Sequence, residues 1–228
     1  MTYRLKVIAF FFCAIALLIV ADVGYSAIAT LSRLDAVEAD RDRWQRPSNV
    51  LEALDAKPGD TIVDLGCGSG YFTQKLSSPV GSRGHMISED IRWLSLAFLR
   101  ARILLRNEHN VTIIHGQQTD PHLPVNQVNA LLISNTYHEF ADPHAILVHV
   151  SQTMVPGGRL VILDREPNPA NIGITENGEH EISAEQVERD LDQAGFDILS
   201  RQDRFIESDP DNETWWLIVA QKPRAVSH

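Results

Sequence analysis

A doubly wound α/β sheet is the fold class this sequence predicts, and three observations predict it. Short apolar, β-branched runs alternate five times with helical stretches, and the chain closes on two further strands. The first run, Thr61-Ile62-Val63-Asp64-Leu65, breaks into glycines at alternate positions, Gly66, Gly68 and Gly70, before a helix begins at Tyr71. The second run ends on an acid, Asp90, twenty residues beyond Gly70. Strand, glycine turn, helix and strand-end carboxylate are the parts with which an open parallel sheet meets a ligand.

The 228 residues suffice for one such domain and an appendage. A net charge of −10 argues against broad binding to a phosphate backbone, so nucleic acid is not an expected partner. Cys13 and Cys67 are the only cysteines, one in the apolar N-terminal run and one in the glycine turn, which leaves no internal disulfide for the domain. His144 and His149 are five apart and miss the i, i+4 spacing of a helical metal pair, so no metal is expected.

Residues 1–31 stand outside the globular fold. Arg4 and Lys6 precede fifteen uninterrupted apolar residues, Val7 to Ala21, and after Asp22 the run to Leu31 is again mostly apolar. A membrane anchor fits the length, and a signal peptide fits the basic start and the Ala27-Ile28-Ala29 cleavage pattern. The anchor is the preferred reading, with the membrane a partner through residues 7–31. Arg4 and Lys6 favour a cytoplasmic N-terminus and an external domain, while Arg33, Arg41, Arg43 and Arg46 blur that rule. Residues 32–60 read as a charged helical lead-in broken at Pro47, and Lys57-Pro58-Gly59-Asp60 turns into the first strand of a 61–228 domain.

The glycine spacing separates two nucleotide-type sites. A dinucleotide turn, G-x-G-x-x-G, would place its third small residue where Tyr71 stands, which disfavours a nicotinamide dehydrogenase. The pattern D-x-G-x-G-x-G from Asp64 to Gly70 resembles motif I of the class I S-adenosylmethionine-dependent methyltransferases. The resemblance covers about residues 41–222, that of a bacterial methyltransferase-domain protein with an N-terminal hydrophobic segment. It implies a Rossmann-like seven-stranded sheet of order 3-2-1-4-5-7-6, with strand seven antiparallel, and S-adenosyl-L-methionine as cofactor. Arg41 to Pro47 is similar to the family's pre-core segment, which would bring Trp44 and Gln45 near the cofactor mouth; a solvated linker helix with one packed tryptophan reads equally well.

The second strand, His85 to Ser88, leads to Glu89 and Asp90, and Asp90 holds the position that accepts from ribose hydroxyls. The helix from about Ile91 to Arg106 has two apolar stripes. Leu94, Ala97, Ala101, Leu104 and Leu105 are expected on the sheet. Leu96, Leu99 and Ile103, flanked by Arg92, Arg100, Arg102 and Arg106, are expected to face a membrane or a partner, with burial against the N-terminal segment as the alternative. Val111 to His115 is a third strand. The resembled family often has an acid just after the following glycine, and Gln117 occupies that place.

Val128 to Asn135 is the fourth strand, and its crevice-facing end carries Asn135, Tyr137, His138 and Glu139. Tyr137 and His138 are the catalytic candidates, His138 as a proton acceptor. A helix from Asp142-Pro143 to Met154 follows. Pro156-Gly157-Gly158 then opens a fifth strand ending at Asp164. Residues 167–182 read as a loop that lids the crevice or selects substrate. A helix capped by Ser183 and an antiparallel pair, Asp197 to Ile206 and Trp215 to Ala220, complete the chain.

The donor site so implied comprises Asp64, Gly66, Cys67, Gly68, Gly70, Tyr71, Asp90, Gln117 and Asn135. The expected activity is methyl transfer to a small, lipophilic acceptor. A non-catalytic module of the same fold, binding a ligand or a membrane partner, is the alternative that Gln117 favours.

Overall fold

The computed structural model describes residues 2–167 and 181–224, in two compact units, Met1–Arg43 and Trp44–His228. The expected lid at 167–182 lies, from 168 to 180, outside the described residues.

The first unit is the body of one helix, α1 (Thr2–Trp44). Phe10, Phe12, Leu17 and Leu18 stand exposed on it, and from Phe10 onward it is long and apolar enough to cross a membrane by length and composition. A signal sequence passes the same test. The helix runs unbroken through the charged residues after Leu31, so the expected boundary at 31 leaves no mark on the backbone.

The second unit begins at Trp44, ahead of the expected 61. It contains α2 (Pro47–Leu54), β1 (Thr61–Leu65), α3 (Tyr71–Val80), β2 (His85–Asp90), α4 (Trp93–Arg106), β3 (Val111–His115) and β4 (Val128–Ser134). Then follow α5 (Pro143–Thr153), β5 (Met154–Arg165), α6 (Ala184–Gln193), β6 (Asp197–Ile206) and β7 (Trp215–Gln221). The seven strands form one sheet in the order β3-β2-β1-β4-β5-β7-β6. Strands one to five are parallel, and β7 runs antiparallel to both β5 and β6.

Period-two alternation sorts each strand's residues onto two faces, and helices cover both. Val63, Leu65, Ile87, Leu131 and Ile133 pack with Leu147 and Val150 of α5 and Val187 and Leu191 of α6. Ile62, Met86, Leu132 and Val161 pack with Val50 and Leu54 of α2 and Phe72 and Leu76 of α3. Each such side chain, fully buried, contributes roughly 1.5–3 kcal/mol of transfer free energy. The helices are also capped as their sequences predict. Asp142 accepts from Ala145 N at 2.9 Å with Pro143 in the first turn of α5, and Ser183 accepts from Gln186 N at 3.3 Å in α6.

The orientation of α4 overturns the expectation. Leu96, Leu99 and Ile103 are buried, packed with Cys67 and against Val111 and Ile113. Leu94, Leu104 and Leu105, expected on the sheet, are 56%, 70% and 62% exposed. Arg102, expected among the outward arginines, is 2% exposed and lies under the glycine turn. The reason is the turn itself, since Gly70 leaves a gap that Leu99 fills. A Cβ built on Gly70 would stand 2.3 Å from Leu99 Cδ1. The helix therefore rolls its Leu96–Leu99–Ile103 stripe inward.

Candidate functional site

Every parallel strand ends at the same edge of the sheet, so the residues after β1, β2, β3 and β4 converge there. After β1 the chain must reverse sharply, and Gly66, Gly68 and Gly70 take φ of 74°, 55° and 90°, the left-handed region that favours glycine. Glu89 O, at the end of β2, accepts from Gly66 N and Cys67 N at 2.9 and 2.8 Å. Arg102 of α4 donates from Nη1 to Ser69 O at 2.8 Å and from Nη2 to Gln74 Oε1 at 2.7 Å. A buried guanidinium thus holds the turn from behind.

Asp64, at the end of β1, is buried, and its Oδ2 accepts from Thr73 Oγ1 at 2.7 Å. Thr73 Oγ1 in turn lies 2.9 Å from Ser88 Oγ, a polar knot that fixes α3 on the sheet beneath the turn. Asp90 is likewise buried and fully engaged. Its Oδ2 accepts from Gly68 N at 2.8 Å, and its Oδ1 accepts from Arg92 N at 2.7 Å and Arg92 Nε at 3.2 Å.

A cleft opens beside these groups. Leu65, Gly66, Glu89, Asp90, Arg92 and Gln117 line one part of it, and Thr136, Glu139, Phe140 and Ile146 the other. Glu89 is 3% exposed, and burial pushes its carboxyl up to about 8 from the ordinary 4.5, with the neighbouring Asp90 and Asp64 adding to the rise. Its side chain fills the place a Cβ would take on Gly116, 1.8 Å from Glu89 Oε1.

Cys67 is 6% exposed; burial first, then the charges of Asp64, Asp90 and Glu89, pushes its thiol well up, so it is not a poised nucleophile. Tyr71 is a core residue, edge-on to Phe72 at 4.8 Å between ring centroids. Asn135 adopts φ 54° and donates its N–H to Leu163 O at 2.8 Å, while its buried Oδ1 has no hydrogen-bond partner among the described residues.

The two catalytic candidates part company. Tyr137 is fully buried, and its hydroxyl donates to Asp190 Oδ2 at 2.9 Å, away from the cleft. Burial and the Asp190 charge push its phenol up. The His138 side chain is 1% exposed, with Nδ1 2.8 Å from Oδ1 of the fully buried Asp164. Asp164 also accepts from His138 N at 3.2 Å and Arg165 N at 2.8 Å. A carboxylate can only accept, so Nδ1 carries the proton on this bond. Nε2 lies 4.0 Å from Glu139 Oε1, and Glu139 lines the cleft. Glu139, His138 and Asp164 form a file from the cleft into the interior.

Trp44 packs on Trp215 at 5.8 Å between centroids, and Gln45 is fully buried; neither lines the cleft. Two residues of the site, Glu89 and Arg102, escape the sequence reading. Glu89 is masked by its neighbour Asp90, and Glu139, expected at the crevice, lines it without having been singled out as catalytic. Arg102 falls at i+3 from Leu99 on the buried stripe, and that spacing is the signal that could have found it.

A family model described as "Methyltransferase domain" matches residues 56–217. The ubiquinone/menaquinone biosynthesis C-methyltransferase UbiE of Vibrio cholerae is 32% identical over 124 residues, 53% of this chain and 46% of that protein. The chain thus spans about half the length of that curated relative. The protein of the same name from Shewanella frigidimarina is 26% identical over 199 residues, 85% of this chain and 72% of that one. Among solved structures, an S-adenosylmethionine-dependent methyltransferase from Aquifex aeolicus superposes with a TM-score of 0.66 at 22% identity, covering 77% of this chain and 88% of that one. That last likeness speaks for the fold alone.

Proposed function

This chain belongs to the methyltransferase-domain family, and on that premise we propose that it transfers the methyl group of S-adenosylmethionine to a small lipophilic acceptor, a ring carbon of a quinol-type lipid. The observation that carries the reading is the cleft at the glycine turn, because its chemistry suits this donor. The donor bears a sulfonium and an ammonium, and the carboxylate of Asp90 lines the cleft at the turn. A Cβ on Gly68 would meet nothing within 4 Å, so the turn offers bare backbone on that side. Asn135 Oδ1 is a buried acceptor without a donor among the described residues. The motif residues Asp64, Gly66, Cys67, Gly68, Gly70 and Asp90, with Asn135 and Gln117, would hold the donor; Tyr71 anchors α3 behind them.

When bound, the donor supplies an electrophilic methyl group, and displacement depends mainly on alignment. Phe140 and Ile146 offer the acceptor an apolar wall, and the names of the Vibrio and Shewanella relatives support a quinone-type ring. Carbon methylation requires the acceptor to give up a proton. Glu139 receives it at the cleft, His138 Nε2 takes it on, and Asp164 stabilises the imidazolium. In this reading α1 anchors the chain to the membrane where such lipids dissolve.

Calorimetric titration of S-adenosylmethionine into the detergent-solubilised chain tests the donor half. Binding in the range of roughly 1–100 μM is expected, and it should vanish in Asp90→Ala and Gly68→Val. Absence of heat from a folded protein overturns the reading. For the acceptor half, label from a methyl-labelled donor should enter a quinol-containing lipid extract, with Glu139→Gln slowing transfer by ~10²-fold while donor affinity holds.

A further inference from the structure

Rolling α4 inward on Leu96 and Leu99 leaves its opposite side bare. Trp93, Leu94, Leu104 and Leu105 are 56–70% exposed and Phe98 36%. At 100° per residue, these side chains and Ala97 and Ala101 occupy a continuous arc of about 140° with no polar residue in it. The surface is on the order of 500 Å², at the upper end of what a soluble monomer leaves uncovered.

The charges around it name the occupant. No acid occurs from Ile91 to Asn107, in a chain whose net charge is −10. Arg100 and Arg106 are exposed, Arg100 beside the Trp93 edge of the arc and Arg106 at the C-terminal end of the helix. A second copy of the chain would bring these arginines against themselves about a two-fold axis, like charge on like. An anionic lipid headgroup layer meets them with opposite charge, and the indole of Trp93 suits the interface between headgroups and acyl chains. The arc also begins at the cleft, since Ile91 and Arg92, the two residues before α4, line it.

We propose that the outer face of α4 lies on the surface of an anionic phospholipid bilayer, independently of any span made by α1, and sets the cleft rim at the lipid boundary. This surface does not depend on the methyl-transfer reading.

The test uses the full chain in nanodiscs of brominated phosphatidylcholine with about 30% phosphatidylglycerol. Trp44 is partly buried and Trp215 and Trp216 are buried, so Trp93 is the indole that bromine should reach. Quenching of tryptophan emission is expected, with most of it lost in Trp93→Phe. It should also weaken in Arg100→Glu/Arg106→Glu and when phosphatidylglycerol is omitted. Quenching equal in Trp93→Phe and wild type overturns the proposal. So does quenching indifferent to both the arginines and the anionic lipid. A protein that sediments as a dimer, with Trp93 shielded from bromine, assigns the face to a second copy instead. Donor titration on the same samples keeps a failure here distinct from a failure of the donor site.

Discussion

At the end of β2, two adjacent acids meet different surroundings. Asp90 is held by Gly68 N and by the N–H and Nε of Arg92. Glu89 lines the cleft in the folded chain with its carboxyl at about 8. Between the ordinary 4.5 and about 8, the unfolded chain has already lost a proton that the folded chain keeps. The unfolded state then binds fewer protons, so this group's contribution to stability falls as pH rises through that window and levels off above it. Glu89→Gln abolishes the effect. Its melting temperature should gain on wild type progressively from pH 5 to 8, by the equivalent of a few kcal/mol. A gap constant with pH would contradict the assignment. The choice of Asp90 over Glu89 from sequence used only the position of the acid on its strand. Position could not show that Glu89 also turns into the cleft, because that depends on the space beside Gly116.

Among the elements, α4 is the one whose reading reversed, and the cause lies in its composition. Its two stripes, Leu94–Ala97–Ala101–Leu104–Leu105 and Leu96–Leu99–Ile103, are both apolar, so periodicity finds a helix but not its inner side. The inner side is decided across the chain, where Leu99 fills the space over Gly70 and Arg102 reaches Ser69 O. By contrast β1, the glycine turn and the antiparallel β6–β7 pair were legible, since local rules of alternation and turn chemistry specify them. The contact between turn and helix yields a prediction. Gly70→Ala combines φ +90° with a Cβ 2.3 Å from Leu99 Cδ1 and should cost about 2–4 kcal/mol in urea unfolding. Paired with Leu99→Ala it should cost at least ~1 kcal/mol less than the two changes summed, the part that is steric rather than torsional. Strict additivity would mean that the two residues do not touch.

For the whole molecule, alternating strands and helices announced a doubly wound sheet, while the strand order came only with the family resemblance. The domain boundary was less legible, because Trp44, Val50 and Leu54 join the core from a stretch that reads as a charged lead-in. The unit Trp44–His228 has apolar clusters of its own. Proteolysis within residues 32–43 should therefore release a fragment that melts within a few degrees of the intact chain; a markedly lower transition would give α1 a share in the fold. The same helix α4 has two employments, however. Leu99 and Arg102 on one side brace the glycine turn, and Trp93 and Leu105 on the other stand bare. Because Leu99 and Arg102 touch the turn directly, a force on the outer face of α4 would reach the turn without passing through the sheet. Lateral pressure in a lipid film would then act as a throttle on donor affinity, and catalysis would answer to how crowded the surface is.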